Sequence, residues 1–309
     1  MGISIYLKEI GRGAQGARPL TRVQSCDLLG QVLDGQCSDF EVGAFCVAMR
    51  LKGETPEEMA GFLDAIDMRI TKVPAGERPI VVLPSYNGAR KLPVLTPLLG
   101  LLLAREGLPV LLHGTATESS RVTSWDVLQA MGMQTWHAGD PIASGTLHSV
   151  PTEGFLPGLK RLLDVRRAIG LRNPAHSLVK LMNPCAGPSL IVGSYTHPEY
   201  AVSMAATFKL MGTSALLLRG TEGEPVADAR RLPRMDIFLD GQVQGVQEAQ
   251  TGPLCSVPEL PAIDAASTAA YMRSVLDGRL PAPEPIARQV AHITHACKTL
   301  LLSDSRLTT

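Results

Sequence analysis

The chain has 309 residues, 45% of them apolar, and 29 lysine and arginine side chains balance 29 aspartates and glutamates, so the formal charge is zero. At roughly 150 residues per domain, this length holds one large or two modest domains with ample core. Neutrality excludes a global basic field, so any nucleic-acid role must rest on local clusters of cations.

Residues 1–22 carry Lys8, Arg12, Arg18 and Arg22 against Glu9, which predicts a short helix followed by a loosely held basic arm. Three helices then follow. Arg22–Leu33 repeats apolar residues at helical spacing. Ser38 with Glu41 forms a capping box before Phe40–Leu51, and Thr55, Pro56 and Glu58 form another before Met59–Ile66. Their spacing predicts a compact helical unit able to pack on the rest of the chain or on a second copy.

Beyond a linker at Lys72–Arg78 the pattern changes to alternation. Ile80–Leu83 reads as a strand, Leu95–Arg105 as a helix, Leu108–Leu112 as a strand and Asp126–Met131 as a helix. Ser189–Val192, His197–Met211, Ala215–Leu218 and Ile237–Leu239 continue the series, and helices at Ala265–Leu276 and Pro285–Leu301 close it. The expected fold is α/β, a small helical domain plus a larger domain with a mainly parallel sheet, with ligands at the carboxyl ends of its strands. Leu92–Ala104, the longest apolar run, contains Pro93 and Pro97 and is too short for a bilayer. With no apolar signal core at the start, a cytoplasmic location without membrane contact is expected. The six cysteines, Cys26, Cys37, Cys46, Cys185, Cys255 and Cys297, include no CxxC pair, and His292 with His295 lacks a third ligand. These features predict buried thiols and no metal site.

Two stretches carry candidate chemistry. Leu112–Gly132, LHGTATESSRVTSWDVLQAMG, runs from an apolar strand through a hydroxyl-rich turn into a helix, the arrangement in which helix-start amides hold anions. Ser and Thr also favour such turns for purely local reasons. Gly158–Leu181 carries Lys160, Arg161, Arg166, Arg167, Arg172 and Lys180 against Asp164 alone; it is either a dense positive surface or a solvated helix face.

LHGTATESSRVTSWDVLQAMG, VRRAIGLRNPAHSLVKLMNP and STAAYMRSVLDG together resemble the anthranilate phosphoribosyltransferase family of the glycosyltransferase family 3 fold, whose architecture is shared with pyrimidine nucleoside phosphorylases. The resemblance implies a helical domain at 1–74, with 157–183 packing on it, an α/β domain at 75–309, and a homodimer joined through the helical domain. It implies chemistry that joins a ribosyl pyrophosphate to an aromatic amine with the help of magnesium. The family's glycine-rich phosphate loop falls on Pro84, Ser85, Tyr86, Asn87 and Gly88, with most of its glycines replaced, and the following turn keeps only Thr96. His113 and Gly114 remain, but the family's flanking lysine and asparagine are Leu112 and Thr115. Ser119, Ser120 and Ser124 match hydroxyl positions, and Arg166 matches the arginine that binds the amine substrate's carboxylate. The metal-binding Asp–Glu pair falls on Pro225 and Val226, leaving Glu222, Glu224 and Asp228 as a candidate displaced set.

This pattern resembles a divergent, YbiB-like branch regarded as nucleic-acid binding. It implies a low-specificity DNA or RNA binder with no catalytic residues and no cofactor, using Lys8, Arg12, Arg90, Lys91, Arg121, Lys160, Arg161, Arg166, Arg167, Arg172 and Lys180, with Tyr86 and Trp125 as candidate stacking platforms. Ser85, Asn87, Gly88, Thr96, His113, Gly114, Thr115, Ser119, Ser120, Ser124 and Arg166 would form a vestigial phosphate or substrate pocket. The alternative is a phosphoribosyltransferase with altered acceptor specificity, using magnesium together with His113, Ser119, Ser124 and Arg166.

Overall fold

The computed structural model describes residues 2–13, 15–118, 120–253 and 258–307, so Ser119 and Cys255 lie outside the described residues. The chain begins with α1 (Ser4–Ile10), α2 (Arg22–Leu33), α3 (Asp39–Lys52) and α4 (Pro56–Asp67). The expected capping boxes of α3 and α4 are present, and a third, Thr21 with Gln24, starts α2. Each satisfies amides that a first helical turn leaves without carbonyl partners. At Gly61 of α4 a Cβ would lie 2.1 Å from the carbonyl oxygen of Arg22, so only glycine lets α4 come this close to α2. Arg22 Nε and Nη2 grip Asp64 at 2.6 and 2.8 Å across the same contact. Ile3 and Ile10 are buried and α1 packs on α3, so the start of the chain is anchored by its helix.

The remaining elements are β1 (Ile80–Pro84), α5 (Thr96–Arg105), β2 (Val110–Gly114), α6 (Ser124–Ala130), β3 (Leu147–Pro151), α7 (Thr152–Phe155), α8 (Pro157–Ile169), α9 (Ala175–Leu181), β4 (Ser189–Tyr195), α10 (Pro198–Met211), β5 (Ala215–Arg219), β6 (Met235–Leu239), β7 (Gln242–Gln247), α11 (Ala265–Leu276) and α12 (Glu284–Leu307). The seven-stranded sheet has the order β3-β2-β1-β4-β5-β6-β7; β1 to β5 are parallel, and β6 and β7 antiparallel. Side chains alternate between its faces. Val81, Leu83, Val110 and Leu112 enter a core shared with α5, α6, α11 and α12, while Ile80, Val82, Leu111 and Ile191 enter a second core continuous with the helical bundle. Among the described residues no helix is long and apolar enough to cross a membrane.

Three elements differ from expectation. Leu147–Pro151 and Gln242–Gln247 are strands, and the basic segment is two helices, broken where Gly170 takes a left-handed φ of 72° and Pro174 precedes α9. Although late in sequence, α8 packs on α2 and α3, and α9 on α4. A Cβ on Gly158 would sit 2.2 Å from the Leu33 carbonyl oxygen, so α8 starts against bare backbone. The chain leaves β1 toward β2 on one side and β4 toward β5 on the other, which opens a crevice at the carboxyl ends of β1 and β4, where α/β folds hold ligands.

Candidate anion-binding site

The loop after β1 points hydroxyls and amides at one spot, and Glu224 fills it. Its carboxylate, 2% exposed, accepts hydrogen bonds from Asn87 N at 2.8 Å, Gly88 N at 2.9 Å, Thr96 Oγ1 at 3.0 Å and Ser85 Oγ. Ser124 Oγ, at the start of α6, lies 2.6 Å from Ser85 Oγ. Converging backbone amides and hydroxyls are the apparatus with which loops cradle phosphate; here the anion belongs to the chain. Glu222 does the same one step along, taking the amides of Arg90 at 2.7 Å, Lys91 at 3.0 Å and Leu92 at 3.4 Å. Burial raises its pKa, but these three amides outweigh that and hold its carboxyl below the usual range. Between the two glutamates, Gly223 has φ +87°, and a Cβ there would meet Asn87 Nδ2 at 2.2 Å. Glycine is therefore what allows the turn to seat both acids.

A third carboxylate closes the other half of the cleft. Glu118, on the hydroxyl-rich turn, is gripped by Arg166 of α8 and by Arg121 Nε at 2.9 Å. Burial raises the pKa of this carboxyl too, and the two guanidiniums bring it below the usual range. Arg166 also reaches Thr117 Oγ1 at 3.3 Å, and Arg167 reaches the Ala116 carbonyl at 3.4 Å. The arginine whose family counterpart takes a substrate carboxylate thus already holds a carboxylate of its own chain. Thr115 Oγ1 bonds Glu153. Ser120 is exposed and Ser124 buried. His113 is wholly buried with neither ring nitrogen hydrogen-bonded, and burial pushes its pKa down to about 3.

The expected nucleic-acid contacts separate by exposure. Lys8, Arg12, Arg90, Lys91, Arg161 and Arg167 are exposed. Arg12 pairs with Glu9, Lys160 with Asp164, and Arg161 also caps the Val32 and Leu33 carbonyls. Arg172 is half-buried against Asn87 Oδ1 at 3.3 Å. Lys180 departs from expectation: it is buried, and its Nζ donates to the Ser194 carbonyl, Ser194 Oγ and the Gly223 carbonyl at 2.9, 3.2 and 2.9 Å. Tyr86 is no open platform either, being 3% exposed with its hydroxyl donating to the His176 carbonyl.

The displaced acids do not converge. Glu222 and Glu224 are committed to separate sets of amides, and Asp228 pairs with Arg230 at 2.7 Å. Among the described residues no group of three His, Cys, Asp or Glu side chains could hold a metal ion. The residues present therefore do not fit the magnesium that the family chemistry implies, which wants unengaged carboxylate oxygens. What sequence reasoning missed was the destination of Glu224. The signal was available in RGTEGEPVAD, where two glutamates flank a glycine just before the vacated metal positions.

A helical bundle on a mostly parallel sheet, with anion-binding loops at the carboxyl ends of the strands, defines the phosphoribosyltransferase-like α/β class. Residues 5–68 match the helical bundle domain of the glycosyl transferase family. The chain is 38% identical to the uncharacterized protein YbiB of Escherichia coli (strain K12) over 92% of this chain and 91% of that protein. It is 29% identical to the anthranilate phosphoribosyltransferase of Sorangium cellulosum, covering 84% and 77% of the two chains. Among solved structures, the anthranilate phosphoribosyltransferase of Thermus thermophilus superposes with a TM-score of 0.71 over 96% of this chain and 89% of that one, at 21% identity. The chain belongs to the anthranilate phosphoribosyltransferase family.

Proposed function

We propose that this chain is a family member that does not transfer phosphoribosyl groups and that it binds the backbone of nucleic acid, with low sequence specificity, through exposed cations bordering the cleft. The observation that carries this reading is Glu224 seated in the cradle where a sugar donor's phosphates would bind. A pyrophosphate entering there would have to expel a buried carboxylate and take over four donors. Arg90, Lys91 and Arg167 remain exposed around the closed site, with Arg161 exposed farther along α8 at the end of α2, and phosphate contacts of this kind position a protein without reading bases.

A second reading, a transferase with altered acceptor specificity, is favoured by the family itself and by the named activity of relatives such as that of Sorangium cellulosum. One assay separates the two. Phosphoribosyl pyrophosphate with magnesium and anthranilate should be left unconsumed; consumption abolished by Arg166→Ala would overturn the proposal in favour of the transferase.

We also propose a homodimer through α1 and α3. Phe40 is 91% and Leu51 79% exposed, and with Val47 they recur at helical spacing along α3; Ile5 is exposed on α1, which packs on α3. Such a stripe suits an isologous contact between two copies.

A further inference from the structure

A cavity of about 530 Å³ opens in the crevice between the carboxyl ends of β1 and β4, walled by the bundle on one side and by α9 and α10 on the other. It lies beside the closed phosphate cradle, and Glu224 is not among its walls. Its volume suits a nucleotide-sized molecule, and its position is the topological switch point of the sheet. Its walls differ in chemistry. Met49, Met59 and Met204 supply thioethers, and Tyr195 and Tyr200 supply rings whose hydroxyls make no hydrogen bond among the described residues. Arg50 and Arg172 supply positive charge, and neither has a salt bridge among the described residues. Lys180 sits behind them, three times hydrogen-bonded to oxygen acceptors but to no carboxylate. Glu54 and Glu199 add acceptor oxygens.

One wall group has unused capacity. His176 is 4% exposed, and its Nδ1 lies 3.3 Å from Asn173 N and 3.2 Å from the Asn173 carbonyl, while Nε2 is buried with no partner. A buried ring nitrogen left without a partner costs about 1–3 kcal/mol. Burial pushes the His176 pKa down to about 3, the positive Arg172 adding to this, so the ring in this wall is neutral at neutral pH.

We propose that this cavity takes one unpaired nucleotide, its base among the tyrosines and methionines and its phosphate at Arg172 and Arg50. Glu54 and Glu199 then accept from sugar hydroxyls or exocyclic amines. The nucleotide can come from a strand held on the surface, which rests on the nucleic-acid reading above, or be free. In either case the cavity needs an unstacked base, since a paired base in a duplex cannot enter.

The test uses the full chain and its Tyr200→Ala variant. Tyr200 is 37% exposed, near the start of α10, so the truncation leaves the fold intact; a His176→Gln variant gives an independent second probe. Anisotropy is measured with a single-stranded oligonucleotide and with a blunt duplex of equal length, and calorimetry with adenosine monophosphate. The expected result is a roughly tenfold loss of single-strand affinity in Tyr200→Ala, the scale of one lost base–aromatic stack, with duplex affinity unchanged and mononucleotide binding lost. Equal losses on both oligonucleotides, or no loss on the single strand, would overturn the cavity proposal even if nucleic acid binds. If neither oligonucleotide binds the unaltered protein, the nucleic-acid reading fails by itself. The cavity proposal then stands only if adenosine monophosphate binds the unaltered chain and not the variant.

Discussion

Glu224 does at atomic scale what a substrate phosphate does in a transferase, and its substitution is the sharpest probe of the cradle. Glu224→Ala leaves two amides and the Thr96 hydroxyl buried without the acceptor they now use, Ser85 keeping Ser124, so it should lower unfolding free energy by about 2–4 kcal/mol, measured by urea denaturation. Calorimetry should show that only this variant, not the unaltered chain, takes inorganic phosphate into the vacated cradle. The buried histidines set a second test at this scale. His113 and His176 have pKa values pushed down to about 3, far below the ordinary value near 6.5 reached in the unfolded chain. As pH falls below 6.5 the unfolded chain binds protons that the native chain refuses, so stability must fall with pH, by at most about 1.4 kcal/mol per unit for each ring. Urea midpoints should therefore drop from pH 7 to pH 5, and His113→Gln should remove part of the slope in that interval, the rest staying with His176, His148 and His292, whose pKa values burial also lowers.

The packing of helices depends on glycines that no side chain can replace. Gly158→Ala drives a methyl into the Leu33 carbonyl and Gly61→Ala drives one into that of Arg22. Each should cost at least about 2 kcal/mol. Gly43→Ala, in α3 with nothing within 4 Å of the added methyl, should stabilise by about 0.5–1 kcal/mol, a sign difference that thermal melts can read. The helices of the bundle were legible in sequence because their signals are local: Ser38 with Glu41 and Thr55 with Glu58 announce their own helix starts. Four of the five parallel strands were legible from apolar runs such as Ile80–Leu83; β3, LHSVP, was not, its run being broken by His148 and Ser149. Strand β7, QVQGVQ, was not, because an exposed edge strand needs no apolar face. The loop residues Ser85, Asn87, Thr96 and Ser124 were also visible as a cradle. Their occupant was not, since the pairing of Glu224 with Ser85 spans 139 positions and depends on how two loops dock. His176, Ser177 and Lys180, polar residues within α9, were the local hint of a polar cavity wall.

At the scale of the whole molecule, three internal carboxylates, Glu118, Glu222 and Glu224, occupy the anion-holding groups of a transferase cleft. On the reading proposed above, the chain keeps the scaffold while its donor site is closed from within. Cations outside the cleft are left to meet solvent, and an apolar stripe on α3 is left to meet another copy. If α3 joins two copies as proposed above, Phe40→Asp should convert the protein to monomer in analytical ultracentrifugation while its folded circular dichroism spectrum is kept. The nucleic-acid reading is decided by a salt-dependent anisotropy titration of labelled single- and double-stranded oligonucleotides. It predicts submicromolar binding at low salt, with log affinity falling linearly against log salt, and a slope shallower by about one for each of Lys91, Arg161 and Arg167 changed to Glu. Absent binding, or affinity indifferent to salt, would contradict it.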